Sequence, residues 1–544
     1  MTQLRRALLY YRTVRHLRPV QLWAKVGLKI FRPNCSLSTI PKPVMAKRPW
    51  VAPVSKKVSL TEKYTFRFLN ETHSITSRED WDNPRWSKLW RYHLHYFDDL
   101  TALRADDRRF WHEGLIERWI RENPLKTGTG WEPYPISKRI VNWVKWSLNG
   151  NRLQERWIRS LAIQAYCLSK RLEYHLLGNH LLGNAKALLF AGCFFSGREP
   201  DRWIALGSAI LEQQLTEQVL HDGGHFERST MYHAIVLEDL LDLVNLFRAY
   251  EKSVPLSWLE AIKKMRMWLT NMCHPDGEIA FFNDAAFKIA AMPSQVDEYA
   301  ERLELPTTTR FVPAEGITHL EESGYVRLQR NGKVVLFDVA PVGPDYLPGH
   351  AHADTLSFEF SIHGERLVVN SGTSVYEEGA ERLRQRGTAA HSTVSINAQN
   401  SSEVWGAFRV ARRAYPFDLR IDENTMRVEC AHDGYRYLNG SPLHRRMVWM
   451  SDSKVSVRDV IGGKYDTATA RFYLHPKVEV ESDNLGNGGQ LRLSSGARIS
   501  WSVREGKSRI VGSTYHPEFG KAIPNKCIEV AIIASTCEVE FSWA

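Results

Sequence analysis

The sequence is poor in cysteine and in long apolar runs, and each shortage excludes a class of protein. Its seven cysteines among 544 residues are scattered without CxxC spacing, so we predict no disulfide framework, which favours a reducing compartment. No apolar run is long enough to span a bilayer, and we predict no transmembrane segment. Zinc-finger spacing, a P-loop and a compact Lys/Arg tract are also missing, so we expect no nucleic acid partner.

What the chain has instead is positive charge and many aromatic side chains. The formal net charge is +11, and the sequence contains 18 Trp and 20 Tyr residues. A basic surface favours a polyanionic partner, and aromatic faces stack on sugar rings, so we expect an anionic polysaccharide as the substrate. The sequence leaves the oligomeric state open.

The first 33 residues are basic throughout and show no signal-peptide core or cleavage site. We expect an amphipathic helix packed on the body of the protein, with a peripheral membrane contact as the alternative. This predicts a location in the cytoplasm or at the periphery of the inner membrane, with the periplasm as the alternative.

Hydrophobic periodicity divides the chain into a helical half and a β half. Helical spacing recurs from Asp80 to about residue 310, and Ser137 is the expected N-cap of one helix. The pattern then alternates, as in Tyr325–Asp338, a hairpin with an Asn-Gly turn. We therefore predict a multidomain α then β fold: a basic N-terminal helix and connecting arm (1–75), an (α/α) toroid of antiparallel helices (76–310) and an antiparallel β-sandwich (311–544).

The stretch Gly349–Ser371 carries the strongest chemical signal. His350 and His352 come directly before a run in which apolar and polar residues alternate. Alternation indicates a half-buried strand. If extended geometry begins at His350, then His350, His352 and Asp354 share one face of the strand, which makes this hairpin a candidate active site or metal site.

Three further segments are polar where the pattern predicts a core or an ordinary loop. They are Tyr174–Asn184, Asp222–His233 and Pro275–Asp284. Asn and Gly are poor helix-interior residues, so Asn179 and its flanking glycines need another explanation. Helix capping or packing would explain each segment alone. Only their combined order along the chain indicates a function.

In that order the chain resembles the heparinase II/III family of polysaccharide lyases, which is related to some alginate lyases. The matching pieces are GNHLLGNAKALLFAG, DGGHFERSTMYH, HPDGEIAFFND, GHAHADTLSFEF, VVNSGTSVYE, AAHSTVSIN and WGAFRVARRA. The resemblance covers nearly the whole chain and is weak beyond about residue 420. It implies an (α/α) toroid followed by a β-sandwich, with β-elimination at a uronic acid in the cleft between them.

The resemblance also implies roles for particular residues. Asn179 would neutralise the uronate carboxylate, with His180 in the same subsite, because an amide donates hydrogen bonds without titrating. Tyr232 would be the general acid and a candidate base, and His350 the general base or proton shuttle. Substrate contacts are expected from Glu227, Arg228, Trp405 and Arg409.

Family members with a metal ion hold it at positions that correspond here to His352, Asn370 and His391. Two imidazoles and a carboxylate would make a zinc set, but the middle residue here is an amide without negative charge. The alternatives are a structural Zn²⁺ and a hydrogen-bonded network of the same three side chains. Asp354 could substitute as the carboxylate in the first case, but its spacing from His352 points more to a structural hydrogen bond.

Three functions fit the sequence. The first is a lyase that removes the C5 proton of a uronate and cleaves the C4–O bond. The second is a uronyl epimerase, or another glycan-modifying enzyme of surface polysaccharide biosynthesis, which would return the proton to C5. The third is a non-catalytic protein that binds anionic glycans on the same scaffold. The sequence determines neither the polysaccharide nor endo or exo action.

Overall fold

The computed structural model describes residues 3–30, 34–306, 313–482 and 486–544. A helical half precedes a β half, which confirms the predicted fold class. The expected domain junction near residue 310 lies outside the described residues. Within the described ranges, no helix is both long and apolar enough to cross a membrane.

Two helices and a small sheet come before the helical domain. Helices α1 (Gln3–Val14) and α2 (Pro19–Ile30) occupy the place of the single basic helix that we expected. The arm that follows contains four short strands: β1 (Lys42–Pro43), β2 (Leu60–Glu62), β3 (Thr65–Phe68) and β4 (Glu71–Ser74). Strand β1 pairs with β5 (Phe195–Ser196) of the helical domain, which fixes the arm to that domain.

The helical domain is a set of helices around one continuous hydrophobic core. They are α3 (Lys88–Tyr96), α4 (Arg109–Glu122), α5 (Pro133–Leu148), α6 (Glu155–Ser169), α7 (Gly178–Phe194), α8 (Arg198–Gln218), α9 (Thr230–Ala249), α10 (Leu256–Asn271) and α11 (Pro293–Arg302). In α7 every residue except His180 is buried, because α5, α6, α8 and α9 all pack against it. A helix buried on all sides has no polar stripe.

Helix α5 begins earlier than the sequence analysis predicted, at Pro133. Proline suits the first helical turn because its missing N–H would have no partner there, and Glu132 occupies the N-cap position. Ser137 therefore lies inside the helix, where its hydroxyl donates to the Pro133 carbonyl at 2.9 Å. The predicted N-cap was therefore wrong.

The β half is a two-layer antiparallel sandwich. Among the described residues its first sheet contains β6 (Gly316–Leu320), β7 (Tyr325–Arg330), β8 (Lys333–Asp338), β9 (Phe358–Ile362), β10 (Glu365–Val369), β11 (Val394–Ile396), β18 (Ala468–Leu474), β22 (Lys507–Tyr515) and β23 (Ile523–Ala531). The second contains β14 (Pro416–Asp422), β15 (Arg427–His432), β16 (Leu443–Met450), β17 (Lys454–Gly462), β19 (Glu479–Ser482), β20 (Gly488–Arg492), β21 (Arg498–Glu505) and β24 (Thr536–Ser542). Helix α12 (Ala380–Arg386) and a hairpin of β12 (Val404–Trp405) and β13 (Arg409–Val410) lie outside both sheets.

The first sheet is covered on both faces, so the prediction of a half-buried strand was wrong for β9. On one face Phe360 packs against the second sheet, with its ring centroid 6.3 Å from that of Phe541. On the other face Glu359 and Ser361 each contact the imidazole of His274 at 2.7 Å, from the helical domain. The polar residues of the alternating pattern therefore mark a domain interface and not a solvent-exposed face.

Cys35 and Cys167 form a disulfide, which contradicts the prediction from cysteine spacing. The bridge joins the N-terminal arm to α6 across 132 residues of sequence. Spacing gave no signal because the two residues meet only when the arm packs on the helical domain. The remaining five cysteines are buried and free.

Candidate active site between the two halves

The two histidines of the HxH motif lie in a loop and not on a strand, because β9 begins only at Phe358. This corrects the prediction of extended geometry from His350 onward. Asn283 and Asp284 of the helical domain hold the loop, and the Asp284 N–H donates to the His350 carbonyl at 2.9 Å. The Asn283 side chain accepts from the His352 N–H at 3.0 Å, and its own N–H donates to Asp354 at 3.0 Å. The loop therefore belongs to the junction between the two halves.

Asp284 is the residue around which both histidines are arranged. Its carboxylate contacts Nδ1 of His350 and Nε2 of His352, each at 2.9 Å. Arg382 binds the same carboxylate through two nitrogens at 2.5 and 2.7 Å. Burial alone would raise the pKa of Asp284, but the Arg382 guanidinium and the two imidazoles hold it well below the usual range.

An ionised Asp284 fixes the tautomer of His350. A carboxylate can only accept, so the proton of a neutral imidazole must be on Nδ1. The lone pair then lies on Nε2, which is 3.7 Å from a carboxylate oxygen of Glu227. His350 is thus oriented as a proton acceptor toward the cleft, with 12% of its side chain exposed.

Tyr232 lies against this imidazole. The two rings are stacked with centroids 3.9 Å apart, and Ser229 positions the tyrosine by capping α9, since its hydroxyl accepts from the Tyr232 N–H at 3.2 Å. The phenol hydroxyl is 3.1 Å from that of Tyr376. Burial, with Tyr376 next in importance, raises the pKa of Tyr232 well above its usual value. The phenol therefore stays protonated and can donate a proton.

Asn179 reaches the same place from the start of α7. The backbone turns into the helix at Gly178, whose φ is +55°, and a Cβ there would lie 2.4 Å from Leu347 and 2.9 Å from Glu227. The Asn179 N–H donates to Glu227 at 3.4 Å, so the glycine allows the helix start and the carboxylate to meet. Burial raises the pKa of Glu227. Asn179 and His350 thus both contact Glu227, and Tyr232 stacks on His350, so the four residues form one connected group.

His180 lies beside Asn179 and carries its own carboxylate partner. Its Nδ1 is 3.2 Å from Glu173, and its ring centroid is 4.5 Å from that of Tyr134. Asn184 holds Glu173 in place with a 2.9 Å hydrogen bond. Burial would lower the pKa of His180, but the Glu173 carboxylate outweighs burial and raises it. The raised pKa favours the positively charged form of His180, which beside Asn179 would suit an anionic ligand.

Three other predicted substrate contacts, Arg228, Trp405 and Arg409, make contacts with protein groups. The Arg228 guanidinium donates to the carbonyls of Ser323 and Glu322, at 3.0 and 3.4 Å. Trp405 donates to Thr13 at 3.0 Å, and Arg409 lies over the Trp405 ring at 4.7 Å. In this structure the three side chains are engaged with protein, at the domain junction and on helix α1.

The second histidine leads to a buried cluster with the donor set of a metal site. His352, Asp354 and His391 offer ligand atoms that all lie within 4.8 Å of one another. His352 Nδ1 is 3.2 Å from His391 Nε2, and His391 Nδ1 is 3.3 Å from the carbonyl oxygen of Asn370. Asn370 is therefore a neighbour of the cluster through His391, and Asp354 supplies its carboxylate.

The positions of the ring protons of His352 and His391 leave room for a cation between the two rings. The Ser392 N–H donates to Asn370 Oδ1 at 3.2 Å, which marks that atom as an acceptor, so His391 must carry its proton on Nδ1. His352 must carry its proton on Nε2, toward Asp284. Burial lowers the pKa of both imidazoles, that of His391 to about 4, so both are neutral. Two lone pairs then face each other, at nearly the separation of about 3.3 Å that two nitrogens have on a tetrahedral Zn²⁺.

Several residues of the site were not assigned a role from the sequence. Asp284, Tyr376 and Glu173 are buried or nearly so and each contacts a predicted residue directly. Arg382 is buried and binds Asp284. Asp284 was part of a segment recognised as unusually polar, and Tyr376 of a motif that matches the family. Arg382 gave no signal, because it lies on the short helix α12 outside both sheets.

These features define a class of protein: a helical toroid followed by an antiparallel β-sandwich, with a Tyr–His–Asn cleft at the junction. Within that class the chain belongs to the heparinase II/III family. The family model described as Heparinase II/III N-terminus matches residues 10–306, and the one described as Heparinase II/III-like, C-terminal matches residues 312–544. The expected family is thereby confirmed.

Individual relatives are more distant. A heparin-sulfate lyase of Bacteroides stercoris is 25% identical over 445 residues, which cover 72% of this chain and 64% of that protein. FtsZ-localized protein C of Caulobacter vibrioides is 24% identical over 461 residues, which cover 78% of this chain and 76% of that protein. A crystal structure of heparinase III shares the fold, with a TM-score of 0.69, 18% identity, and coverage of 96% of this chain and 92% of that one. The chain spans less than two thirds of the length of the curated heparin-sulfate lyases that it matches.

Proposed function

We propose that this protein is a polysaccharide lyase that cleaves a uronic-acid-containing anionic polysaccharide by β-elimination. The observation that carries the proposal is the stacking of Tyr232 on His350 at 3.9 Å, with Asn179 brought beside them by Glu227. An acid, a base and a neutral hydrogen-bond donor for a carboxylate then lie around one space, as elimination requires.

Each residue has one part in the reaction. The lone pair on His350 Nε2 takes the proton from C5 of the uronate. The Asn179 amide and the His180 imidazolium stabilise the charge that develops on the carboxylate. The C4–O bond breaks as the C4–C5 double bond forms, and the Tyr232 hydroxyl gives its proton to the departing oxygen. Because the pKa of Tyr232 is raised, its geometry and charge favour the role of acid over that of base.

We also infer that the cluster of His352, His391 and Asp354 holds a structural zinc ion. The two facing lone pairs support this, and so does the carboxylate within reach of both. The ion would stiffen the loop that carries His350, because His352 shares Asp284 with it. It takes no part in the proton transfers.

The test is a screen of uronate polymers for the ultraviolet absorbance of the new C4–C5 double bond. We expect product with wild type and a fall in rate of roughly 10²-fold or more with Tyr232→Phe and with His350→Ala. Exposed Tyr437→Phe and His363→Asn are the matched controls and should keep full activity. A wild-type protein that binds these polymers without unsaturated product would refute the proposal. Solvent deuterium at C5 of unshortened chains would identify an epimerase, which no feature of the cleft favours.

A further inference from the structure

The N-terminal helices expose large apolar side chains to solvent. Six of them, which we call the N-terminal apolar face, range from 40% exposed at Leu8 to 79% at Ile30 and are Leu4, Leu8, Tyr11, Trp23, Val26 and Ile30. The three members on α1 are four and three positions apart, and the three on α2 are three and four apart, while Tyr10, Val14, Val20 and Leu22 are also exposed, at 39–42%. This spacing puts each trio on one side of its helix.

The opposite sides of both helices are fixed to the protein. Leu9 and Gln21 are 5% and 4% exposed. Arg12 pairs with Glu403 at 3.3 Å, and the side chain of Gln21 donates to the main chain of Tyr346 at 3.2 Å. The helices therefore present their apolar residues outward while they remain docked, so the exposed face is a feature of the folded protein.

The net positive charge of the chain comes from its first 61 residues, which include both helices and the arm that follows them. The whole chain has 72 Lys and Arg against 61 Asp and Glu; residues 1–61 hold 13 of the former and none of the latter. The remainder of the chain is thus slightly acidic, and the net charge of +11 comes entirely from this segment. Arg6 and Lys25 are exposed members of it, on α1 and α2.

We propose that the N-terminal apolar face docks on the surface of an anionic lipid bilayer. Exposed apolar side chains in a segment that has cations and no acidic residue of its own match an interface in which acyl chains lie beneath anionic headgroups. A second copy of the chain would bring two cationic segments together, and like charges disfavour that contact. A soluble acidic polysaccharide would pair with the cations, but it would not bury the apolar side chains of Leu4, Val26 and Ile30.

Docking would place the membrane on the side of the candidate active site. Helix α1 packs on the β12–β13 hairpin, with the rings of Tyr10 and Trp405 4.9 Å apart. The tip of that hairpin carries Phe408, whose ring centroid is 6.0 Å from that of His350. The membrane surface and the cleft would thus be linked through one short hairpin.

The test is co-sedimentation of the full chain with vesicles of 70% phosphatidylcholine and 30% phosphatidylglycerol, and with pure phosphatidylcholine vesicles. We expect wild type to pellet with the anionic vesicles and to be released by high salt. Leu8→Gln/Trp23→Gln and Arg6→Gln/Lys25→Gln should each weaken binding by about tenfold or more. Phe110→Gln/Leu256→Gln is the matched control, since those residues are 81% and 78% exposed elsewhere, and should bind as wild type does.

Several results would overturn this proposal without affecting the proposed lyase activity. Wild type that stays in the supernatant with anionic vesicles at low salt would do so, and so would variants of the apolar face that bind as tightly as the control. A wild-type dimer that dissociates in the Leu8→Gln/Trp23→Gln variant would assign the face to a second copy instead. Activity on soluble polysaccharide should be unchanged in every variant, because none of these residues lies in the cleft.

Discussion

Replacing Asp284 by Asn should test whether this carboxylate orients His350, because it leaves the other residues of the site unchanged. The substitution keeps the size of the side chain but removes the negative charge that His350, His352 and Arg382 share. An amide can either donate or accept, so it no longer forces the His350 proton onto Nδ1. A fraction of the enzyme will then present an N–H, and not a lone pair, to the C5 proton.

The Asp284→Asn variant should lose both catalytic turnover and stability. In the serine-protease triad, where a buried carboxylate likewise orients a histidine, the Asp to Asn change costs about 10⁴ in turnover, and we expect roughly 10² to 10⁴ for the Asp284 variant by the same reasoning. Leaving the buried Arg382 without its carboxylate should cost about 3–5 kcal/mol of unfolding free energy. Arg382 has no exposed side-chain surface, so water cannot replace the lost partner.

Two measurements distinguish these parts. Urea unfolding gives the stability loss, and kcat on a uronate polymer, measured where the variant is fully folded, gives the catalytic loss. Arg382→Gln is the matched control: it should be destabilised by a similar amount, yet it leaves Asp284 free to orient His350. If folded Asp284→Asn keeps kcat within about threefold of wild type, or if Arg382→Gln loses as much, the orientation argument is wrong.

Four further predictions concern the packing, redox state, titration and metal content of the protein. Gly178→Ala should lower stability by about 1–2 kcal/mol, because the φ of +55° is costly for an L-residue, and should reduce activity in the same assay. Mass spectrometry of the denatured, unreduced protein should find five alkylated thiols, and loss of the Cys35–Cys167 bridge across 132 residues should cost about 5 kcal/mol in chain entropy. Burial lowers the pKa of His95 to about 3, so below about pH 6.5 only the unfolded chain takes up that proton. The free energy of unfolding therefore falls as the pH is lowered. The difference in unfolding free energy between wild type and His95→Gln should change by about 2 kcal/mol, against wild type, from pH 7 to pH 5. Purified protein should contain one zinc per chain by elemental analysis, and Asn370→Asp should retain it longer against a chelator than wild type does.

Much of the fold was predictable because its signals are local. Helical spacing indicated a helical region from Asp80 to about residue 310, since an apolar stripe must face a core. The Asn331-Gly332 turn between β7 and β8 was predictable for the same kind of reason, and both residues have positive φ, 50° and 74°. Local signals failed where the partner is distant: the polar alternation of β9 was interpreted as solvent exposure, although His274 of the helical domain covers it.

The site was predictable only as far as its motifs extend. Asn179, Tyr232 and His350 were identified because each belongs to a segment that matches the family. Arg382 was missed because a buried arginine on a short helix looks like any exposed one in sequence, and only its fully buried partner Asp284 shows why it is there. The two residues are 98 positions apart, and a pairing at that separation leaves no periodic pattern.

His350 and His352 contact the Asp284 carboxylate through different ring nitrogens. His350 uses Nδ1 and so presents its Nε2 lone pair to the cleft, while His352 uses Nε2 and so presents its Nδ1 lone pair to His391. One ionised carboxylate therefore favours opposite tautomers in the two neutral imidazoles and directs the lone pair of His350 toward Glu227 and that of His352 toward His391. On a strand, residues two apart would point the same way, whereas the loop lets both rings reach the same carboxylate. The proposed division of the HxH motif into a base and a metal ligand rests on this loop geometry, and a metal bound at the second lone pair would also fix the carboxylate that orients the first.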